Sequence, residues 1–182
     1  MLSVLIVQEA RGMIRDAKSS DLGNILEIYN DAILNTTAVY DYTAHTLEDR
    51  LIWLENKKKT GFPVIVFEED SLILGFATFG PFRPWPAYKY TIEHSVYVHK
   101  DYRGKSIGTR LVRQLLKIAN DDEYAMIVAG IDSTNRASLL MHEKLGFTNC
   151  GTIRKVGYKF GRWLDLIFYQ YELDGPTIPK ED

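Results

Sequence analysis

A length of 182 residues, 46% hydrophobic and 25% charged, suits one globular domain with a self-sufficient core and excludes a low-complexity or disordered chain. A formal net charge of −2 removes the global basic field that nucleic acid or an anionic membrane surface would need, so any phosphate site must be local. The single cysteine, Cys150, excludes an intrachain disulfide and fits a reducing, cytoplasmic compartment. In chain order, MLSVLIVQEARGM opens with an apolar run that no basic residue precedes and no cleavage pattern follows. It reads as an extension, residues 1–12, rather than a signal peptide, and it is too short to span a membrane.

A domain follows over residues 13–173. MIRDA, 13–17, reads as a short strand. Asp21 is placed to cap a helix to about residue 34, with Leu22, Ile25, Leu26, Tyr29 and Ile33 on one face. Thr46 followed by Asp49 marks a second helix start; Leu47, Leu51 and Leu54 repeat at helical spacing, and Lys57, Lys58 and Lys59 sit at the end that favours cations. The period then shortens to two. Residues 62–68 and 72–79 read as strands joined at Glu69-Asp70-Ser71, a hairpin signal. PFRPWPAYKY carries three prolines and predicts an irregular connection, and 91–98 predicts a strand. Residues 106–120 form an amphipathic helix pattern, with Ile107, Leu111, Leu115 and Ile118 inward and Arg110, Arg113 and Lys117 outward. AMIVAGI, 125–131, reads as a strand buried on both faces, and 135–145 as a helix stopped by Gly146. Residues 147–158 and 163–173 predict a hairpin about Lys159 to Arg162, and the tail 174–182 reads as frayed. The order β-α-α-β-β-β-α-β-α-β-β defines a mixed α/β domain.

The string RGKSIG, 103–108, stands between a strand and a helix. Gly104-Lys105-Ser106 ends like a P-loop, but that signature needs glycine at 99, where the chain has His99. The alternative uses the helix mouth itself. Its first amides lack intrahelical partners, the dipole is positive there, and Arg103 and Lys105 add charge, as a pyrophosphate requires. A plain strand-to-helix turn also explains a glycine. HEKLGF, 142–147, lacks the second histidine of a zinc-binding H-E-x-x-H helix, and no metal is expected.

Residues 98–108 resemble motif A of the GNAT superfamily of acetyl-CoA-dependent N-acyltransferases, whose loop reads R/Q-x-x-G-x-G/A; Arg103 and Gly108 match it. Ser106 departs, standing where the first glycine of that pattern is usual. TIEHSVYVHKDYRGKSIG, VAGIDSTNRASLLMHEKLGF and VGYKFGRWLDLIFYQYEL together resemble the phosphinothricin acetyltransferase branch, which also acts on methionine sulfoximine and sulfone. The resemblance covers about 13–173. It implies the acyl-CoA N-acyltransferase fold: a mostly antiparallel twisted sheet, splayed at the cofactor site and flanked by helices. It also implies a homodimer with acetyl-CoA as cosubstrate.

Moving an acetyl group from a thioester to an amine needs a base for the ammonium, donors for the carbonyl oxygen and a proton for the thiolate. The resemblance places the catalytic glutamate at Glu93; otherwise it is a solvated strand carboxylate. It has Val96, Tyr97 and Val98 bind the pantetheine arm as a pseudo-strand, and Arg103, Gly104, Lys105, Ser106, Ile107, Gly108 and Thr109 hold the pyrophosphate. It gives Asn135 a bond to CoA, and the same residue can also be an N-cap. His142 falls where many members carry a thiolate-protonating tyrosine; a packed helix histidine is the alternative. Arg83, in the proline-stiffened loop, suits an acceptor carboxylate, and Trp85, Tyr88 and Lys89 can close the pocket. Tyr40, Tyr42 and Trp53 are candidates to line it from the helical side, Trp53 also for the core. Residues 157–162 resemble the family's β-hairpin, which implies a reach to the pocket or to a partner subunit. No neighbouring base activates Cys150, which favours direct transfer over an acyl-cysteine. The reading is an N-acetyltransferase for the α-amine of a small amino-acid-like acceptor. Two alternatives stay open: another amine (a polyamine, an aminoglycoside, a protein N-terminus), or a non-catalytic acyl-CoA sensor.

Overall fold

The computed structural model describes residues 10–181, so the first nine residues of the expected extension lie outside it. Seven strands make one sheet in the order β1-β2-β3-β4-β5-β7-β6. They are β1 (Met13–Asp16), β2 (Val64–Glu69), β3 (Leu72–Pro81), β4 (Thr91–Val98), β5 (Met126–Asp132), β6 (Thr148–Lys159) and β7 (Arg162–Glu172). The β4–β5 pair is parallel and the other pairings are antiparallel. Helices α1 (Leu22–Asn35) and α2 (Leu47–Lys59) cover one face; α3 (Ile107–Asp121) and α4 (Arg136–Lys144) cover the other. The period of two along each strand divides the core accordingly. Val64, Val66 and Phe76 pack under α1 and α2, while Ile65, Phe67, Ala77 and Phe79 pack under α3.

Both tight hairpins follow their turn chemistry. Asp70 and Ser71, and again Phe160 and Gly161, have positive φ at both central positions, as a two-residue turn matching strand twist requires. Gly146, at φ +94°, ends α4 as expected. Thr46 and Asp49 form the reciprocal cap of α2.

Four expectations need correction. Asp21 does not cap α1: its carboxylate accepts from the Lys18 amide and the Arg15 guanidinium, and a short helical turn leads into the helix. On α2 the leucine stripe is rotated outward. Leu47 and Leu51 are exposed, whereas Arg50 and Leu54 are buried, because the Arg50 guanidinium lies 4.1 Å from the Tyr29 ring centroid and 4.9 Å from that of Trp53. On α3, Arg110 is half-buried and donates to the carbonyls of Ala10 and Gly12, stitching the chain before β1 onto the helix. The tail is tied down: the Lys180 amide donates to the Tyr90 hydroxyl, and Gly175 packs on Ala125. Among the described residues no helix is long and apolar enough to cross a membrane.

Candidate active site

The site is built where the sheet comes apart. β4 and β5 pair over three residues, Thr91 with Met126, Ile92 with Ile127 and Glu93 with Val128, and then diverge. On its other side β4 continues to pair with β3 as far as Val98. The backbone groups that β4 turns toward β5 beyond Glu93 are therefore left without a strand partner, in the middle of a sheet. A polar cleft of about 70 Å³ opens there, with Ser95, Val96 and Tyr97 on one wall and Gly130 and Asp132 on the other.

The cleft meets a larger cavity of about 690 Å³. Val96, Tyr97 and Val98 wall it on the sheet side; Arg103, Gly104, Ser106, Ile107, Gly108 and Thr109 wall it at the mouth of α3. Asn135 closes the far side, and the hairpin contributes Phe160 and Arg162. Ser106 is the N-cap of α3 and adopts φ 62°, ψ 7° without a side-chain capping bond. A left-handed serine costs roughly 1 kcal/mol, which glycine at this position would not bear. This is the physical content of the departure from the glycine pattern. The turn survives with serine, and the first amides of a 15-residue helix remain free for an anion. At Gly108 an added Cβ would stand 3.2 Å from Met141 Sδ, so α3 and α4 approach closely beside the cavity. Lys105 does not line it; its Nζ lies 4.7 Å from the Tyr102 ring centroid. Arg103 ion-pairs with Asp31 at 2.9 Å and donates to the Val98 carbonyl. Asn135 Oδ1 accepts from the Ser138 amide, the N-cap role, while its residue lines both cavities.

Alternation along β4 sends neighbouring side chains to opposite faces. Glu93 and Tyr97 face the α1–α2 side; His94 and Val96 face α3 and α4. Glu93 is half-buried, and an added Cβ on Gly130 would stand 3.1 Å from its Oε1, so the carboxylate lies over the point where the strands part. Burial raises its pKa above the ordinary 4.5, and the positive Arg83 partly offsets that. A carboxylate so placed can hold the proton of an amine delivered to the cleft.

His142 is buried, with Nδ1 2.8 Å from the Ser138 carbonyl and Nε2 3.1 Å from Nε2 of His94. A carbonyl only accepts, so the His142 proton is on Nδ1 and its Nε2 accepts from His94. His94 Nδ1 then carries a lone pair, and it has no partner. Burial lowers both rings' pKa, that of His94 to about 3, and keeps both neutral. His142 in this arrangement has no spare proton to give.

On the acceptor side, Arg83 is exposed, stacks 4.1 Å from the Phe82 ring centroid and donates to the Phe82 carbonyl. Trp85 and Tyr88 are exposed beside it, and Lys89 Nζ lies 5.2 Å from the Tyr90 ring centroid. Trp53 lies at the edge of the core against Phe76. Tyr40 and Tyr42 belong to a strap, residues 36–42, laced onto the β6–β7 hairpin. The Tyr40 hydroxyl donates to Asp132 at 2.9 Å and that of Tyr42 to the Tyr158 carbonyl at 2.6 Å. The Tyr40 ring covers Gly157, where a Cβ would approach to 2.9 Å. Lys159, buried at the hairpin's end, donates to the carbonyls of Ile33, Thr36 and Val39. Cys150 lies in β6, away from these walls, and burial raises its thiol pKa.

Sequence reasoning missed Lys159, Asp132, His94 and Gly130. Only Gly130 carried a signal: a glycine inside an apolar strand marks a close approach.

The sequence model of the Acetyltransferase (GNAT) family matches residues 25–147. The chain is 43% identical over 166 residues to an L-amino acid N-acyltransferase of Escherichia coli, covering 91% of this chain and 96% of that one. It is 43% identical to the L-methionine sulfoximine/L-methionine sulfone acetyltransferase of Salmonella typhimurium, covering 91% and 97%. Among solved structures, a phosphinothricin acetyltransferase from Sinorhizobium meliloti in complex with acetyl-CoA superposes with a TM-score of 0.88 at 31% identity, covering 93% and 92%.

Proposed function

The chain belongs to the acetyltransferase (GNAT) family, and on that premise we propose that it acetylates, in the cytoplasm, the α-amine of a small acceptor of the methionine sulfoximine, methionine sulfone or phosphinothricin type. It is an acetyl-CoA-dependent N-acetyltransferase, and its relatives act on amino-acid-like acceptors. The observation that carries the finer reading is the half-buried Glu93 carboxylate standing over the splay between β4 and β5.

Acetyl-CoA supplies the acetyl group as a thioester. The amides at the mouth of α3, from Ser106 to Thr109, hold its pyrophosphate, and the edge of Val96 to Val98, which has no strand partner on the β5 side, receives its arm as a strand. An N–H on that edge polarises the thioester carbonyl. Glu93 takes the proton of the acceptor's ammonium, whose pKa near 8 makes the transfer accessible around neutral pH. The nitrogen sheds a second proton as its bond to carbon forms, and the departing thiolate needs one proton. The balance therefore closes without a proton from His142, which serves by ordering the cleft wall. Transfer is direct, and Cys150 takes no part. Arg83 engages the acceptor carboxylate.

Thiol release from acetyl-CoA should accelerate with methionine sulfone, methionine sulfoximine or phosphinothricin and far less with spermine or a peptide. Arg83→Ala should raise the acceptor KM roughly tenfold with the acetyl-CoA KM unchanged, the loss expected for a charge-assisted bond. Acceleration by spermine alone would rule out the acceptor class.

The enzyme works as a homodimer through its β6–β7 hairpin, whose Ile153, Val156, Tyr158 and Trp163 are exposed on a two-stranded ribbon. Sedimentation should give twice the chain mass, and Trp163→Glu should shift it toward the monomer; a wild-type monomer at all concentrations would end this part.

A further inference from the structure

A third cavity, of about 730 Å³, lies along α2 and shares no lining residue with the cleft and the cofactor cavity. The loop 41–45 forms one side, and Phe62 and Pro81 form the other. Ile52, Trp53, Phe62 and Pro81 make its walls apolar. Its size falls in the range of small-molecule sites.

Its charges are unusual. Arg50 is only 5% exposed, and its Nε has no hydrogen-bond partner. One guanidinium nitrogen donates to His45 Nδ1 at 2.8 Å, and the plane packs on the Tyr29 and Trp53 rings. Lys57 is half-buried and donates to the Phe79 carbonyl at 2.6 Å. Among the described residues neither cation forms a salt bridge. Two carboxylates also line the cavity; Asp49 attracts Arg50 without reaching ion-pair distance, and both carboxylates are hydrogen-bonded elsewhere. Asp41 accepts from His45 Nε2 and from the amides of Tyr42 and Thr43; Asp49 accepts from the amide and hydroxyl of Thr46 in the cap of α2. Burial lowers the Lys57 pKa to about 8, the direction expected of an ammonium that lacks a counter-ion. A buried cation without an ion-pair partner is costly, and the usual resolution is a paired anion.

We propose that this cavity binds a small organic oxyanion with an apolar body, its charge between Arg50 and Lys57 and its body against Trp53 and Phe62. Two sources could supply that chemistry. The cavity shares a sheet face with the base, since Gly80 pairs with Glu93 and a Cβ added to Gly80 would stand 3.1 Å from Lys57 Nζ, so the anionic side chain of a phosphinothricin-type acceptor could reach it while its carboxylate meets Arg83. A separate carboxylate is the other source.

Pentanoate and pentanamide are the probes, titrated into the full-length protein while the Trp53 indole signal is followed by NMR. Pentanoate should bind at least tenfold more tightly than pentanamide. Lys57→Met should abolish that preference, and Ile52→Trp, which fills the cavity from its exposed rim and keeps both cations, should abolish binding of either probe. Equal affinities, no pentanoate binding, or an unchanged preference in Lys57→Met overturns the proposal. The titration needs no turnover, so its failure leaves the acetylation reading standing. Inhibition assays then separate the sources: pentanoate competing with phosphinothricin marks the acceptor's anionic side chain, and a non-competitive effect marks a second molecule, either result upholding the anion site.

Discussion

Glu93→Gln is expected to lower turnover by roughly 10² to 10³, the range for loss of a positioned general base, while the acetyl-CoA dissociation constant stays within about a factor of two. Glutamine keeps the volume over Gly130 and removes only the capacity to hold a proton. The wild-type rate should also reveal the base through pH. Glu93 acts when ionised, so activity rises as pH climbs through its pKa. Burial has moved that pKa above the usual carboxylate value, so the acid limb should lie above pH 4.5 and vanish in the variant. Rate profiles at saturating acetyl-CoA, with binding followed by calorimetry, check both parts. A variant that keeps more than half its turnover would remove Glu93 from the chemistry.

The second large effect is on stability. Lys159→Met should cost about 2–4 kcal/mol, because three carbonyls from the end of α1 and the strap lose their common donor in a buried place. Methionine regains some of this, since burying an ammonium is itself unfavourable and burial already lowers the Lys159 pKa. The orphaned carbonyls win the balance, because water must enter the strap to serve them. For a domain of this size the loss corresponds to a fall in Tm of about 5–15 °C. Residues 35–38 wall the cofactor cavity, so the acetyl-CoA KM should rise as well. Thermal denaturation beside steady-state kinetics tests the pair; a Tm within 2 °C of wild type would mean the three bonds are not supporting the strap.

What the sequence disclosed was local. Turn residues with positive φ, the Thr46–Asp49 cap, the glycine stop at 146 and the anion-ready mouth of α3 are each written within a few consecutive residues. What it hid depends on partners distant in the chain. AMIVAGI reads as uniformly buried, yet Gly130 is exposed on the cleft, because the divergence of β4 from β5 is a property of two strands and not of one. Lys159, in a turn rich in glycine and aromatics, looks like a solvent-facing lysine; only the strap 120 residues or more upstream makes it a buried donor. His94 and His142 are 48 residues apart, and the shared proton arrangement that leaves His142 without a free donor exists only in three dimensions. The leucines of α2 misled for a related reason: the helix turns an arginine, not its leucines, toward an aromatic floor.

The parting of β4 from β5 has a wider consequence. Among the described residues the ladder between the block β1–β4 and the block β5–β7 has three residue pairs, extended by the bond from the Ala125 amide to the Tyr90 carbonyl, and that seam lies at the centre of the fold. A molecule that lies along the gap becomes mortar between two half-walls, and its concentration adds to the free energy of the folded state by mass action. The cell's supply of activated acetate would then set how long the enzyme lasts as well as how fast it works.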